Sequence, residues 1–486
     1  MFPSSLSLLS PCTRSVPRLS VLSASFHDKP KHFLTRDART GKYKGRLEYL
    51  NRGDPFDQDN TARKVVVEKE SARKHLPNNT RAYLWGNGEL GALGQPGFLS
   101  PKKKKGEPRK NVLLKMRRPF ISSLGNYYDL STAACGYGFT LFATKHKEKQ
   151  VFGTGLNDSG QIGYHRRLNK DGRQVGKPLE VVVAPAPVYL PLVEGEKVTA
   201  MAAGRAHSLV LTSHQRVLAL GNNGYGQCGR MVVEEEDYIR KEMAHVMEVE
   251  RVKSVVCGQD HSIMLTDEGK VYSCGWGADG QTGLGHYQNT GEPTRVRGDV
   301  EGEVVVKVAC AADCVLALTD NGSVFGWGNS EYGQFMSVTH EQQLSHPTHL
   351  PFQGLGKVVD IASGGTTCML LTEDGKVYVW GYGILGLGPN LDTVTEPVEL
   401  PGVLLGRNSF SPNSVVTAVY CGLGHQAALN SEGDLYVWGK NRGGCLGLNT
   451  DQDRFFPMKV AIGGRVKHVS MGVDHMVAIA KPWMNK

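Results

Sequence analysis

From residue 81 onward, short apolar stretches recur along the chain, separated by polar turns rich in glycine. Val305-Val306-Lys307-Val308-Ala309-Cys310, Val315-Leu316-Ala317-Leu318-Thr319 and Val324-Phe325-Gly326-Trp327 are β-branched or apolar runs of strand length. Asn321-Gly322 between the last two is a hairpin signal, because both residues tolerate positive φ. Asp374-Gly375 repeats that turn one unit later. Pro293-Thr294-Arg295-Val296 and Pro457-Met458-Lys459-Val460 fit edge strands, since proline cannot donate into a central ladder. Each unit is thus read as four short strands.

The units are in register. One glycine recurs as Gly136, Gly204, Gly258, Gly364, Gly422 and Gly472, with Ala311 in the same place once. A second recurs as Gly86, Gly155, Gly221, Gly275, Gly328, Gly381 and Gly439, preceded by tryptophan at Trp85, Trp327, Trp380 and Trp438. The two are 17 residues apart in five of six units, and 136 to 155 carries two extra residues. Further glycines follow the second anchor, as Gly91 and Gly94, Gly160 and Gly163, Gly226 and Gly229, Gly280 and Gly283, and Gly444 and Gly447. Seven copies at this spacing suit propeller blades better than a helical solenoid. The series opens on an unpaired second half, Tyr83-Leu84-Trp85-Gly86, and closes on an unpaired first half, Met471 to Ile479. Joined, the halves complete one blade and remove both free edges. The expected fold is all-β: a seven-bladed β-propeller over residues 81–481 with four-stranded blades, closed by pairing of its N- and C-terminal strands.

The Cys/Ala-Gly-x-x-His-Ser, Leu-Thr-x-x-Gly, Val-Tyr-x-Trp-Gly and Gly-Gln-x-Gly elements resemble the repeat of the regulator of chromosome condensation family, whose members are seven-bladed propellers. The runs Cys274 to His286, Tyr382-Gly383-Ile384-Leu385-Gly386 and Cys135 to Thr140 are similar to those of a mitochondrial member. The resemblance implies guanine-nucleotide exchange on a GTPase, which the founding member performs partly through a hairpin wedge. No such wedge is legible here. The insertion Arg230 to Arg251, which holds Glu234, Glu235, Glu236 and Asp237, is a candidate protein contact whose composition reads as helix or hairpin alike.

Composition adds four points. The 486 residues are 40% hydrophobic, enough for a large core, and contain no apolar run near the ~20 residues of a membrane span, so no transmembrane segment is expected. The formal charge of +9 is unevenly placed: Lys+Arg against Asp+Glu is 15 to 8 over residues 1–80, 18 to 7 over 81–180, and 23 to 32 thereafter. That asymmetry points to a polyanionic partner near the start of the fold, beside the plainer reading of a solvated basic surface. The first 26 residues hold eight serines, Arg14, Arg18 and no acid, the composition of a mitochondrial transit peptide. Residues 27–80 are polar, basic and without apolar period, and read as a disordered linker.

Most chemical motifs dissolve into the repeat. Gly86 to Gly91 and Gly275 to Gly280 fit a dinucleotide loop in spacing, but that loop needs a following helix and none is expected. Gly439-Lys440 fails as a phosphate loop because Asp434 and Asn441 stand where glycine and Ser/Thr are required. His207, His261, His425 and His475 share one register with Phe139, Cys314 and Thr367, which reads as a strand-end hydrogen-bonding position and not a metal ring. Cys135, Cys257, Cys310 and Cys421 precede the first glycine, where a small buried reduced thiol fits. No catalytic residues, metal or cofactor emerge.

The strongest functional cue is basic. Lys102, Lys103, Lys104, Lys105, Arg109, Lys110, Arg117 and Arg118 follow the first half-blade, with Phe120, Tyr127 and Tyr128 beyond. Lysine and arginine displace phosphate counterions and aromatics stack on unpaired bases, so RNA is the expected ligand; anionic inner-membrane lipid and a solvated loop are the alternatives. Two functions are therefore carried forward. One is a non-enzymatic scaffold in the mitochondrial matrix or peripheral to the inner membrane, holding mitochondrial ribosomal RNA with its assembly or pseudouridylation proteins and supporting large-subunit biogenesis and translation. The other, implied by the resemblance, is nucleotide exchange on a mitochondrial dynamin-type fusion GTPase.

Overall fold

The computed structural model describes residues 80–95, 115–168, 174–240 and 244–483, together with a two-residue ladder of Thr35–Arg36 against Tyr43–Lys44. The chain divides at Asn60 into two units, and that ladder is what is described of the first. The second contains seven four-stranded antiparallel sheets. We number the blades 1 to 7 from the sheet that begins at Leu130–Cys135. First strands of blades 2 to 7 are Val198–Ala203, Val252–Cys257, Val305–Ala309, Val358–Ser363, Val416–Cys421 and Gly464–Met471.

Blade 7 is assembled from both ends of the propeller, in the order Gly464–Met471, His475–Pro482, Arg81–Asn87, Lys115–Ile121. Its seam is an antiparallel ladder from Arg81 opposite Ala480 to Gly86 opposite His475. Most of the apolar core lies between blades. Ala82, Leu84, Val477 and Ile479 of blade 7 pack on Leu130, Ala133, Phe142 and Phe152 of blade 1, and comparable clusters join the other neighbours around the ring. The proline-led segments lie in outermost strands, Thr290–Arg295 and Arg454–Lys459. In every blade a register shift interrupts the first strand near its start, the kind of bulge that adds twist.

Both glycine registers have steric causes. A Cβ on Gly472 would stand 2.8 Å from the carbonyl oxygen of Gly136, one on Gly136 2.8 Å from that of Gly204, and one on Gly204 2.7 Å from that of Gly258: these turns hold adjacent blades at backbone contact. All seven second-register glycines have φ between 90° and 111°, where an L side chain is strained. Three of the four tryptophans bind blade to blade: Trp85, Trp327 and Trp380 donate from Nε1 to the carbonyls of Cys445, Gln281 and Gln334 in the preceding blade, at 2.7, 3.1 and 2.8 Å, whereas the buried Nε1 of Trp438 meets no partner among the described residues. No helix among the described residues is long and apolar enough to cross a membrane.

Candidate functional site

Because strands alternate direction, the first-to-second turns and the third-to-fourth connections emerge on the same face. Near its centre, charged side chains of consecutive blades meet. Arg205 of blade 2 pairs with Asp260 of blade 3, Nε donating to Oδ1 at 3.1 Å. Gln259 donates to Asp313 Oδ2 at 2.8 Å and Gln281 to its Oδ1 at 3.1 Å, tying blades 3 and 4. Burial above all, with the nearby Asp279 carboxylate, pushes the Asp313 carboxyl up to about 7. The buried Tyr137 hydroxyl meets no hydrogen-bond partner among the described residues. Along the chain Tyr137, Arg205, Gln259, Asp260 and Asp313 read only as spacers between the glycine and histidine registers, and Gln281 as part of the Gly-Gln-x-Gly element. One signal marks them: Asp260, Asp313 and Asp474 occupy the same place in three blades.

The structure assembles a thiol, an imidazole and a carboxyl that no sequence spacing announced. Cys310 Sγ lies 3.6 Å from His261 Nε2, and His261 Nδ1 lies 4.0 Å from Asp313 Oδ1. The outline is that of a nucleophile, base and orienting acid. Its protonation states are wrong for that work. Burial pushes the Cys310 thiol far up and holds the His261 imidazole down to about 3, so the pair is neutral; the thiol donates instead to the Ala312 carbonyl at 3.1 Å. Two other histidines of the register bond between blades: His207 contacts Ser262 Oγ at 3.1 Å and His475 contacts Thr140 Oγ1 at 2.9 Å, whereas His425 Nε2 is buried without a partner among the described residues. Cys135 and Cys257 are buried as expected, whereas Cys310 and Cys421 are half-buried. Among the described residues no three His, Cys, Asp or Glu side chains are placed to share a metal.

Lys102, Lys103, Lys104, Lys105, Arg109 and Lys110 lie outside the described residues. The chain departs after Gln95 and is described again from Lys115, which pairs opposite Asn87 on the same face as the central cluster. Arg117 is ion-paired with Asp451 of blade 6, and its carbonyl accepts from Asn449 N at 2.6 Å, so it fastens two blades; Arg118 is exposed. The aromatics expected beside them differ in availability. Tyr128 is core, its ring 4.7 Å from that of Phe152, because the turn at Ser123–Asn126 folds it inward; Phe120 and Tyr127 pack partly on the same cluster. Stacking on a base by Tyr128 is thereby corrected. In the insertion, Glu234 and Glu235 are exposed, Asp237 pairs with Arg240, and Glu236 is turned inward onto Arg230. The described part of the insertion folds as neither α-helix nor hairpin: it holds a 3₁₀ turn at Tyr238–Arg240 and a strand of two residues at His245–Val246.

Comparison with known proteins agrees with this architecture. The model of the regulator of chromosome condensation (RCC1) repeat matches residues 215–265, 268–318, 321–371, 374–429 and 432–479, and a second RCC1-repeat model matches four spans beginning at residue 198. The chain belongs to the RCC1 repeat family. It is 48% identical over 410 residues to the RCC1-like G exchanging factor-like protein of Mus musculus, covering 83% of this chain and 88% of that protein. The protein of the same description from Homo sapiens is 47% identical, with 83% and 87% covered. The crystal structure of human WBSCR16 superposes with a TM-score of 0.76 at 46% identity, over 83% of this chain and all of that one. The RCC1 repeat explains the glycine, histidine and tryptophan registers; the central charges and the blade 2 insertion vary from copy to copy within it.

Proposed function

We propose that this RCC1-repeat propeller is a non-enzymatic scaffold of the mitochondrial matrix. Its basic sector takes ribosomal RNA, and its remaining face and rim take the proteins that assemble or modify the large subunit. The observation that carries this reading is the segregation of charge: 18 Lys+Arg against 7 Asp+Glu over residues 81–180, and 23 against 32 after them. The acid-free leader supports the compartment, and clustered cations release counterions when they meet a phosphate backbone. Crosslinking followed by sequencing of the attached RNA tests it. Recovery of ribosomal RNA is expected, and no enrichment over a propeller of neutral surface would end it. Replacing Lys102 to Lys105 by alanine should weaken RNA binding and lower the salt slope by roughly one unit for each lysine–phosphate pairing removed. An unchanged slope removes this segment from the interface.

A second reading rests on the name of the relatives, RCC1-like G exchanging factor-like protein. On that reading the central Arg205, Asp260 and Asp313 cluster would meet a mitochondrial GTPase of the dynamin type and speed release of its guanine nucleotide. A nucleotide-release assay with the purified chain decides it: acceleration lost in the Arg205→Ala variant supports exchange, and no acceleration with any candidate GTPase rejects it.

A further inference from the structure

Blade 2 departs from the other six in its third-to-fourth connection. Its outermost strand has two residues, His245–Val246, where the others have six to eight. The chain diverted from it forms a loop whose feet are fixed. Arg230 Nη2 donates to both carboxylate oxygens of Glu236, at 2.7 and 2.8 Å, and these side chains are only 20% and 6% exposed. At one foot the carbonyls of Arg230 and Met231 accept from Asn223 Nδ2 at 3.0 and 3.2 Å. At the other, Tyr238 lies over the blade 1 turn so closely that a Cβ on Gly160 would stand 2.6 Å from its carbonyl oxygen.

From the first foot outward, the side chains of Met231, Val232 and Val233 are 68%, 45% and 54% exposed, followed by the exposed Glu234 and Glu235. Glu235 has φ of 54°, a left-handed conformation that a non-glycine residue holds only against local strain. Three adjacent apolar side chains in water at the tip of a pinned loop are an unfavourable arrangement that burial in a partner would relieve. The pin also lowers the ordering entropy lost on binding. We propose that residues 231–235 are a docking element for a partner protein bearing an apolar cleft rimmed by lysine and arginine. Charge selects this occupant. Glu234 and Glu235 follow the apolar triplet and are exposed, while Arg230 and Arg240 are engaged by Glu236 and Asp237. A nucleic acid or an anionic membrane would meet carboxylates here. On a chain of net +9 this acidic, apolar spot is suited to a cationic protein, and the inference stands apart from RNA binding.

The probe is a synthetic amphipathic helix of leucine and lysine, with a leucine and glutamate twin, titrated by calorimetry onto the full chain. The lysine peptide is expected to bind and the glutamate peptide not. E234K/E235K, and separately M231S/V232S/V233S, should each weaken binding at least tenfold without moving the melting temperature, since these side chains face water. Arg230→Ala should weaken it with the tip intact, and R230E/E236R should restore it. Substitution of Lys102 to Lys105 should leave this binding unchanged, which separates it from the RNA reading. Failure of the lysine peptide to bind, equal binding by the tip variants, or capture of phosphatidylglycerol vesicles or an RNA oligonucleotide through Met231 to Val233 would overturn the proposal.

Discussion

In blade 2 the imidazole heading the second strand follows Ala206; in blade 7 it follows Asp474, and the two histidines, alike in register and burial, titrate in opposite directions. Burial holds His207 down to about 3. Burial acts on His475 too, but Cys135 and Asp474, whose Oδ1 lies 3.8 Å from Nδ1, outweigh it and bring the group up to about 10. The same two blades contrast at their rims. Blade 2 gives its outer strand up to an acidic, pinned loop, whereas blade 7 keeps seven residues, Lys115–Ile121, beside a basic connection. Position within the repeat decides where a side chain sits; the neighbour that the repeat leaves free decides what it does.

The largest expected effect concerns the seam. Deleting residues 471–486 leaves Arg81–Asn87 without its ladder and exposes the interface with blade 1, a loss on the scale of the whole folding free energy of about 5–15 kcal/mol. An insoluble or oligomeric product is expected, while removing 231–235 from blade 2 should keep the melting temperature within a few degrees. A soluble monomer that melts normally after the terminal deletion would break the contrast. Next, Trp85→Ala should cost about 4 kcal/mol in denaturant unfolding, since it empties a fully buried site and loses the bond to the Cys445 carbonyl. A cost under about 1 kcal/mol would mean that blade 7 does not depend on blade 6.

The smaller effects are in pH. For His207 the unfolded state, near 6.5, takes up its proton before the folded state does, so stability present above pH 6.5 is lost as pH falls toward 3. His207→Asn should therefore reduce the loss between pH 7 and pH 5 by about 2 kcal/mol. For His475 the folded value is the higher, so its contribution is full below pH 6.5 and is lost as pH rises through about 10. His475→Asn should remove about 2 kcal/mol of decline between pH 7 and pH 9. Slopes of the same sign in the two variants would show that burial alone governs the register.

The propeller was legible because its constraints are local and repeated. Glycines at 86, 155, 221, 275, 328, 381 and 439 answer one backbone conformation, and Asn321-Gly322 and Asp374-Gly375 answer one turn. The candidate site was less legible. Tyr128 reads as one more aromatic after a basic run until the turn before it folds the ring against Phe152. Glu236 reads like Glu235 until Arg230 draws it inward. Arg205, Asp260 and Asp313 come from three blades; the two aspartates share one place in successive repeats, but nothing along the chain marks Arg205 as their neighbour.

By itself the order of residues determined seven units, their four strands, the closing blade and the uneven charge, because each follows from spacing within a single stretch of chain. Only the closed ring decided which carboxyl meets which guanidinium, which histidine gains a proton and which acids remain in water. Those outcomes depend on burial and on distances between blades, and side chains some fifty residues apart acquire a distance only once the ring has formed.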